Sequence, residues 1–154
     1  MASAAVGTSG RVVGVDKAPI DPPLGNANVI ALVGDLEALG IAEKILEALG
    51  GPADAVLSDA APKLTGIRAT DRANEERLLE AVEALLPALL RPGGALLVKL
   101  LEGPEAQAID RRLRPRFAKA GTVKPAASRK GTTERYLLAR GYRGSGDVGS
   151  GDVG

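Results

Sequence analysis

The stretch AVLSDAAPKLTG, residues 55–66, brings an apolar strand to an abrupt end on a carboxylate, Asp59. Pro62 prevents a central strand from continuing. In open α/β sheets the carboxyl ends of the strands are where ligands bind. An aspartate after a strand also serves as a turn acid that accepts backbone hydrogen bonds. Two more short β-branched runs close on acids in the same way: RVVGVD at Asp16 and NVIALVGD at Asp35. Acids at such positions can accept both hydroxyls of a ribose or an exocyclic amine of adenine, so a nucleoside cofactor is plausible chemistry. In a doubly wound sheet the three would converge on one crevice. A fourth group is Lys99, set inside the leucine-rich run ALLVKLLE. Its ammonium needs partners in that apolar layer, and Asp59 and Glu134 are suitably placed at neighbouring strand ends. The alternative is a lysine that snorkels to solvent.

The elements that would hold these groups alternate. Strands are expected at 11–16, 28–35, 54–59, 95–102, 121–125 and 134–140. In IAEKILEALGG, residues 41–51, Ile41, Ile45, Leu46 and Leu49 share one helical face, and Gly50–Gly51 stop the helix. Leucines recur at helical spacing from Asp71 to Arg91, with Pro87 expected to bend that helix near its end. RPGG, 91–94, reads as a turn, and Pro104 opens a helix running to about Phe117. Strands alternating with helices predict an α/β sheet, largely parallel. One domain is expected over 1–143. The tail 144–154 duplicates GSGDV and has nothing to bury.

Composition narrows the chemistry. The chain has 154 residues, enough for a domain with a core, and neither cysteine nor histidine. Thiolate catalysis and the commonest metal ligand are therefore excluded, and any proton chemistry falls to Lys, Asp, Glu or Tyr. No metal is expected. No apolar run approaches the ~20 residues that span a bilayer, and the first ten residues do not form a secretory signal, so the cytoplasm is the expected compartment. Residues 1–110 carry a net charge of −7, whereas 111–143 carry +10. Such a basic end suits a polyanion, bound mostly through phosphates because aromatic residues are too few for a stacking platform. A solvated cationic surface is the plainer account.

Four stretches taken together, VVGVDKAPID, VLSDAAPKLTGIRATD, LLRPGGALLVKLLEG and VKPAASRKGTTERYLLARGYRG, resemble successive motifs of the FtsJ-like ribosomal RNA 2′-O-ribose methyltransferases. The resemblance runs from about Val6 to Gly144 in the family's order. It implies a Rossmann-like class I fold and the cofactor S-adenosyl-L-methionine. The implied substrate is a uridine ribose of large-subunit (23S-type) RNA or its precursor particle, and the implied oligomeric state a monomer. It implies a Lys-Asp-Lys-Glu tetrad, with Asp59, Lys99 and Glu134 as its last three members. Asp16 corresponds to the acid on the cofactor ribose, Asp35 to the acid near adenine, and Asp59 also borders the cofactor. Arg129 and Lys130, in the basic end, are expected to contact RNA phosphates.

The family's first lysine, first central strand and glycine-rich cofactor loop precede the segment matching Val6, so the fold is expected to be truncated at its N-terminus. On that expectation the chain as written binds cofactor weakly or not at all and is prone to aggregate. The alternative is a non-catalytic RNA-binding remnant of the same fold. A nicotinamide-type Rossmann protein is disfavoured by the lack of a G-x-G-x-x-G loop after the first strand.

Overall fold

The computed structural model describes residues 10–18, 28–59, 64–100, 103–124 and 135–144. The chain divides between Pro52 and Ala53 into two compact units. The first holds β1 (Val12–Asp16), β2 (Val29–Val33) and helix α1 (Ile41–Leu49). The two β-branched strands pair in parallel, with Val12 opposite Val29 and Asp16 opposite Val33. The Gly34 amide donates to the Asp16 carbonyl at 2.9 Å, so the ladder continues one step past β2. Helix α1 lies between two left-handed glycines, Gly40 (φ 81°) and Gly50 (φ 87°). The Gly50 N–H donates to the Leu46 carbonyl at 2.8 Å, and Arg11 donates to the Ala48 carbonyl at 3.1 Å, so carbonyls of the last turn that the helix itself leaves open are satisfied. Ile41 and Ile45 are its buried face, as the spacing predicted.

The second unit contains β3 (Ala53–Ser58), α2 (Arg68–Leu89), β4 (Leu90–Leu100), α3 (Pro104–Leu113), a 3-10 turn (Arg114–Arg116), β5 (Phe117–Val123) and β6 (Arg135–Tyr142). Its four strands lie in the order β3-β4-β6-β5. Only β3–β4 is parallel here; β6 runs antiparallel to both its neighbours. The expectation of a largely parallel sheet is corrected accordingly. The α2 crossover brings β4 beside β3 in parallel, and β6 then enters between β4 and β5 in the opposite direction.

Alternation in β4 decides which side chains meet the core. Leu96, Val98 and Leu100 are buried, while Ala95, Leu97 and Lys99 on the other face are half-buried. The buried row packs with Leu137 and Ala139 of β6, Leu79 and Leu86 of α2, and Ala106, Ile109 and Leu113 of α3. Phe117 and Tyr142 close this core with ring centroids 5.2 Å apart. One sheet face thus takes both helices, and the period of two leaves Lys99 on the opposite one.

Three local expectations need adjustment. Helix α2 starts at Arg68, three residues before Asp71. Asp71 instead reaches back to the preceding loop, its Oδ1 accepting from the Thr65 amide at 2.8 Å and the Thr65 hydroxyl at 2.7 Å. Those bonds from Thr65, the backbone one foremost, hold the Asp71 carboxyl below its ordinary range. RPGG is no separate turn. It forms an irregularity inside β4, where Ala53 faces Leu90 but Ala55 faces Ala95. Gly93 there has φ 84°, and a Cβ on Gly94 would lie 2.6 Å from Leu90 Cδ1. Helix α3 stops at Leu113 and gives way to a 3-10 turn containing Pro115. The tail beyond 144 lies outside the described residues.

Candidate active site

Asp59 follows the last residue of β3, and Lys99 is the penultimate residue of β4. The parallel register aligns Ser58 with Val98, so the next pair along is Asp59 and Lys99. Lys99 Nζ lies 3.1 Å from Asp59 Oδ1, with the lysine side chain 13% exposed and the aspartate 72%. The same oxygen accepts a hydrogen bond from the Tyr136 hydroxyl at 3.3 Å. Tyr136 arrives there because β6 pairs it directly with Lys99. One carboxylate oxygen therefore gathers an ammonium and a phenol from two strands that are neighbours in the sheet, β4 and β6. Since Asp59 is mostly in water, its attraction for Lys99 is worth at most about 1 kcal/mol. Its contribution is position rather than stability: Lys99 stands on the sheet face opposite buried Val98 and Leu100, and the contact with Asp59 draws its charged end to where β3 ends.

Asp16 and Asp35 come together in the first unit. Each has one oxygen tied by a backbone amide two residues on, Ala18 to Asp16 at 3.2 Å and Glu37 to Asp35 at 2.9 Å. These are the turn bonds expected of strand-end acids. Lys17 Nζ stands 3.7 Å from Asp35 Oδ2, an exposed pair. A Cβ on Gly34, between these acids in the ladder, would meet Ile41 Cδ1 at 2.9 Å, which holds the backbone close to α1. Glu134, Arg129 and Lys130 lie outside the described residues. Among the described residues no cluster of three acids suited to a metal occurs.

The basic end is less free than its count suggests. Arg112 grips Glu83 through both oxygens, with Nη2 at 2.9 Å from Oε1 and Nε at 3.1 Å from Oε2. Arg116 Nη2 adds a contact at 3.4 Å. Arg114 Nε lies 2.9 Å from Asp110 Oδ2, and its Nη2 donates to the Thr122 hydroxyl at 2.9 Å. Three arginines counted toward a polyanion surface are thus occupied in joining α2, α3 and β5. Sequence reading could not see this, because Glu83 lies 29 residues before Arg112. It also passed over Tyr136, whose one signal was its place two residues after Glu134 in ERYLLAR.

The profile of the FtsJ-like methyltransferase family matches residues 1–142. The chain belongs to that family. Ribosomal RNA large subunit methyltransferase E of Methanothermobacter thermautotrophicus is 40% identical over 139 residues, 90% of this chain and 65% of that protein. The protein of the same name from Acidithiobacillus ferrooxidans is 40% identical over 144 residues, 94% of this chain and 64% of its own length. The FtsJ-like chain thus spans just under two thirds of these relatives. A crystal structure described as a ribosomal RNA methyltransferase of Plasmodium falciparum superposes with a TM-score of 0.72 at 25% identity, covering 88% of this chain and 74% of that one. The mixed α/β fold is that of the FtsJ-like family. Among the described residues no helix is long and apolar enough to cross a membrane.

Proposed function

We propose that the chain works as an S-adenosylmethionine-dependent RNA 2′-O-ribose methyltransferase on a uridine of large-subunit ribosomal RNA. In this reading residues 1–143 are the methyltransferase domain and 144–154 a tail. The protein acts as a monomer in the cytoplasm, on the RNA or its precursor particle, without a metal. The observation that carries the reading is the Asp59 oxygen shared by Lys99 and Tyr136. A ribose hydroxyl is a weak nucleophile, and a strand-end lysine held by a carboxylate can orient it and, in its neutral form, take its proton.

The acids present fit the cofactor. Asp16 ends β1, Asp35 follows two residues after the adjacent parallel strand β2, and both are anchored by local amides, as suits groups that accept ribose hydroxyls and an adenine amine. When bound, S-adenosylmethionine supplies a sulfonium methyl that passes to the ribose 2′-oxygen as the carbon–sulfur bond breaks. Asp59 keeps the Lys99 nitrogen in place, Glu134 is assigned the part of the tetrad's glutamate, and Arg129 and Lys130 hold RNA phosphates. Much of the rate gain comes from alignment of the reacting atoms, which the rigid register of β3, β4 and β6 serves.

Lys99→Ala tests the assignment. Single-turnover methyl transfer with labelled cofactor should be lost in the active protein, while cofactor affinity stays within a few-fold. Wild-type rates in the variant would exclude Lys99 from the chemistry.

A further inference from the structure

The ladder between β5 and β6 sets Lys119 directly opposite Arg140. Both side chains are exposed. Like charges placed opposite each other weaken a sheet. Arg140 faces Ala95 across the β4 ladder, and the next pair along β5–β6 is Gly121 with Leu138 on the same face. Neither cation has an ion-pair partner among the described residues, although Arg112, Arg114 and Arg116 nearby are each given a carboxylate. An anion from outside the chain would turn this repulsive pair into a chelate.

We infer that Lys119 and Arg140 form a phosphate clamp for the RNA backbone, an inference that rests on the proposed function. The placement suits a backbone already engaged at the candidate active site. Arg140 and Tyr136 are four residues apart on β6, so the clamp shares the sheet face of Lys99 and Tyr136 and stands about 13 Å along the strand from them. That is less than half a turn of a nucleic-acid duplex, about 34 Å. One duplex or folded single strand can therefore touch both places. Leu97 and Leu138 fill the row between and bring no competing charge.

Lys119→Glu separates a clamp from a cationic edge that merely discourages strand pairing. It sets Glu against Arg140, so the ladder gains an opposite-charge pair and the melting temperature should hold or rise. Affinity for a fluorescent large-subunit rRNA hairpin should fall. The slope of log affinity against log salt should shrink by about 1.4–1.8, because two phosphate contacts are lost at ~0.7–0.9 each. Between 50 and 200 mM salt, wild-type affinity should then drop about ten-fold further than that of the variant. Arg140→Gln should move the slope by about half as much. If the wild type binds the hairpin with the usual salt dependence and Lys119→Glu binds it equally well, the clamp is refuted and the proposed function stands. If the wild type binds no hairpin at any salt, the proposed function itself is overturned, and the clamp with it.

Discussion

Replacing Asp59 with Asn keeps the shape of the side chain and removes the charge that Lys99 and Tyr136 share. The energetic consequence can be worked from exposure. The carboxylate is 72% in water, so its pairing with Lys99 at 3.1 Å belongs with surface ion pairs, worth at most about 1 kcal/mol. A loss of that size lowers the melting temperature by no more than about 4–8 °C for a unit of this size. The rate consequence is of another order. Without the carboxylate, a lysine that is only 13% exposed loses the 3.1 Å contact that draws it toward the end of β3, and a misplaced acid/base group costs about 10²–10⁴ in rate. The expected result is therefore a small shift in a circular-dichroism melt beside a loss of at least a hundred-fold in single-turnover methyl transfer. A variant that melts as predicted but retains wild-type turnover would refute the positioning argument. A fall in melting temperature far beyond that range would show that the cluster is structural.

Two further outcomes concern stability. Burial raises the Tyr142 phenol above its ordinary value of 10.0 despite the nearby Arg116, so the folded state favours the neutral ring. That contribution is complete below the unfolded pKa and is lost as pH rises past it through the folded one; Tyr142→Phe should flatten the decline in denaturant midpoint above about pH 10. Glu83→Gln leaves Arg112 and Arg116 without their shared anion, and urea titration should show a loss of about 2 kcal/mol. This lies below the cost of breaking a fully buried pair because Arg112 keeps 45% of its side chain exposed; an unchanged midpoint would contradict a structural role for these arginines.

Much of the site was legible because the signals are local. An apolar run that stops at an acid, as at Asp16 and Asp59, states both the element and the edge at which its carboxylate appears. The helical face of Ile41 and Ile45 and the glycine stop at Gly50 follow from spacing and from the left-handed backbone that glycine tolerates. The motifs that resemble the FtsJ-like enzymes rest on the same short stretches. What only the tertiary structure decided depends on register between strands far apart in the chain. Tyr136 joins Asp59 across 77 residues, and Lys119 meets Arg140 because β5 and β6 are antiparallel at one register rather than its neighbour. A slip of one residue would turn each of these side chains to the other face of the sheet. The fate of the arginines was hidden for the same reason. Net charge sums residues regardless of partner, whereas Glu83 finds Arg112 and Arg116 only when α2 and α3 pack on one face of the sheet. Composition thus set the kinds of chemistry open to this chain, and strand register chose which side chains perform it.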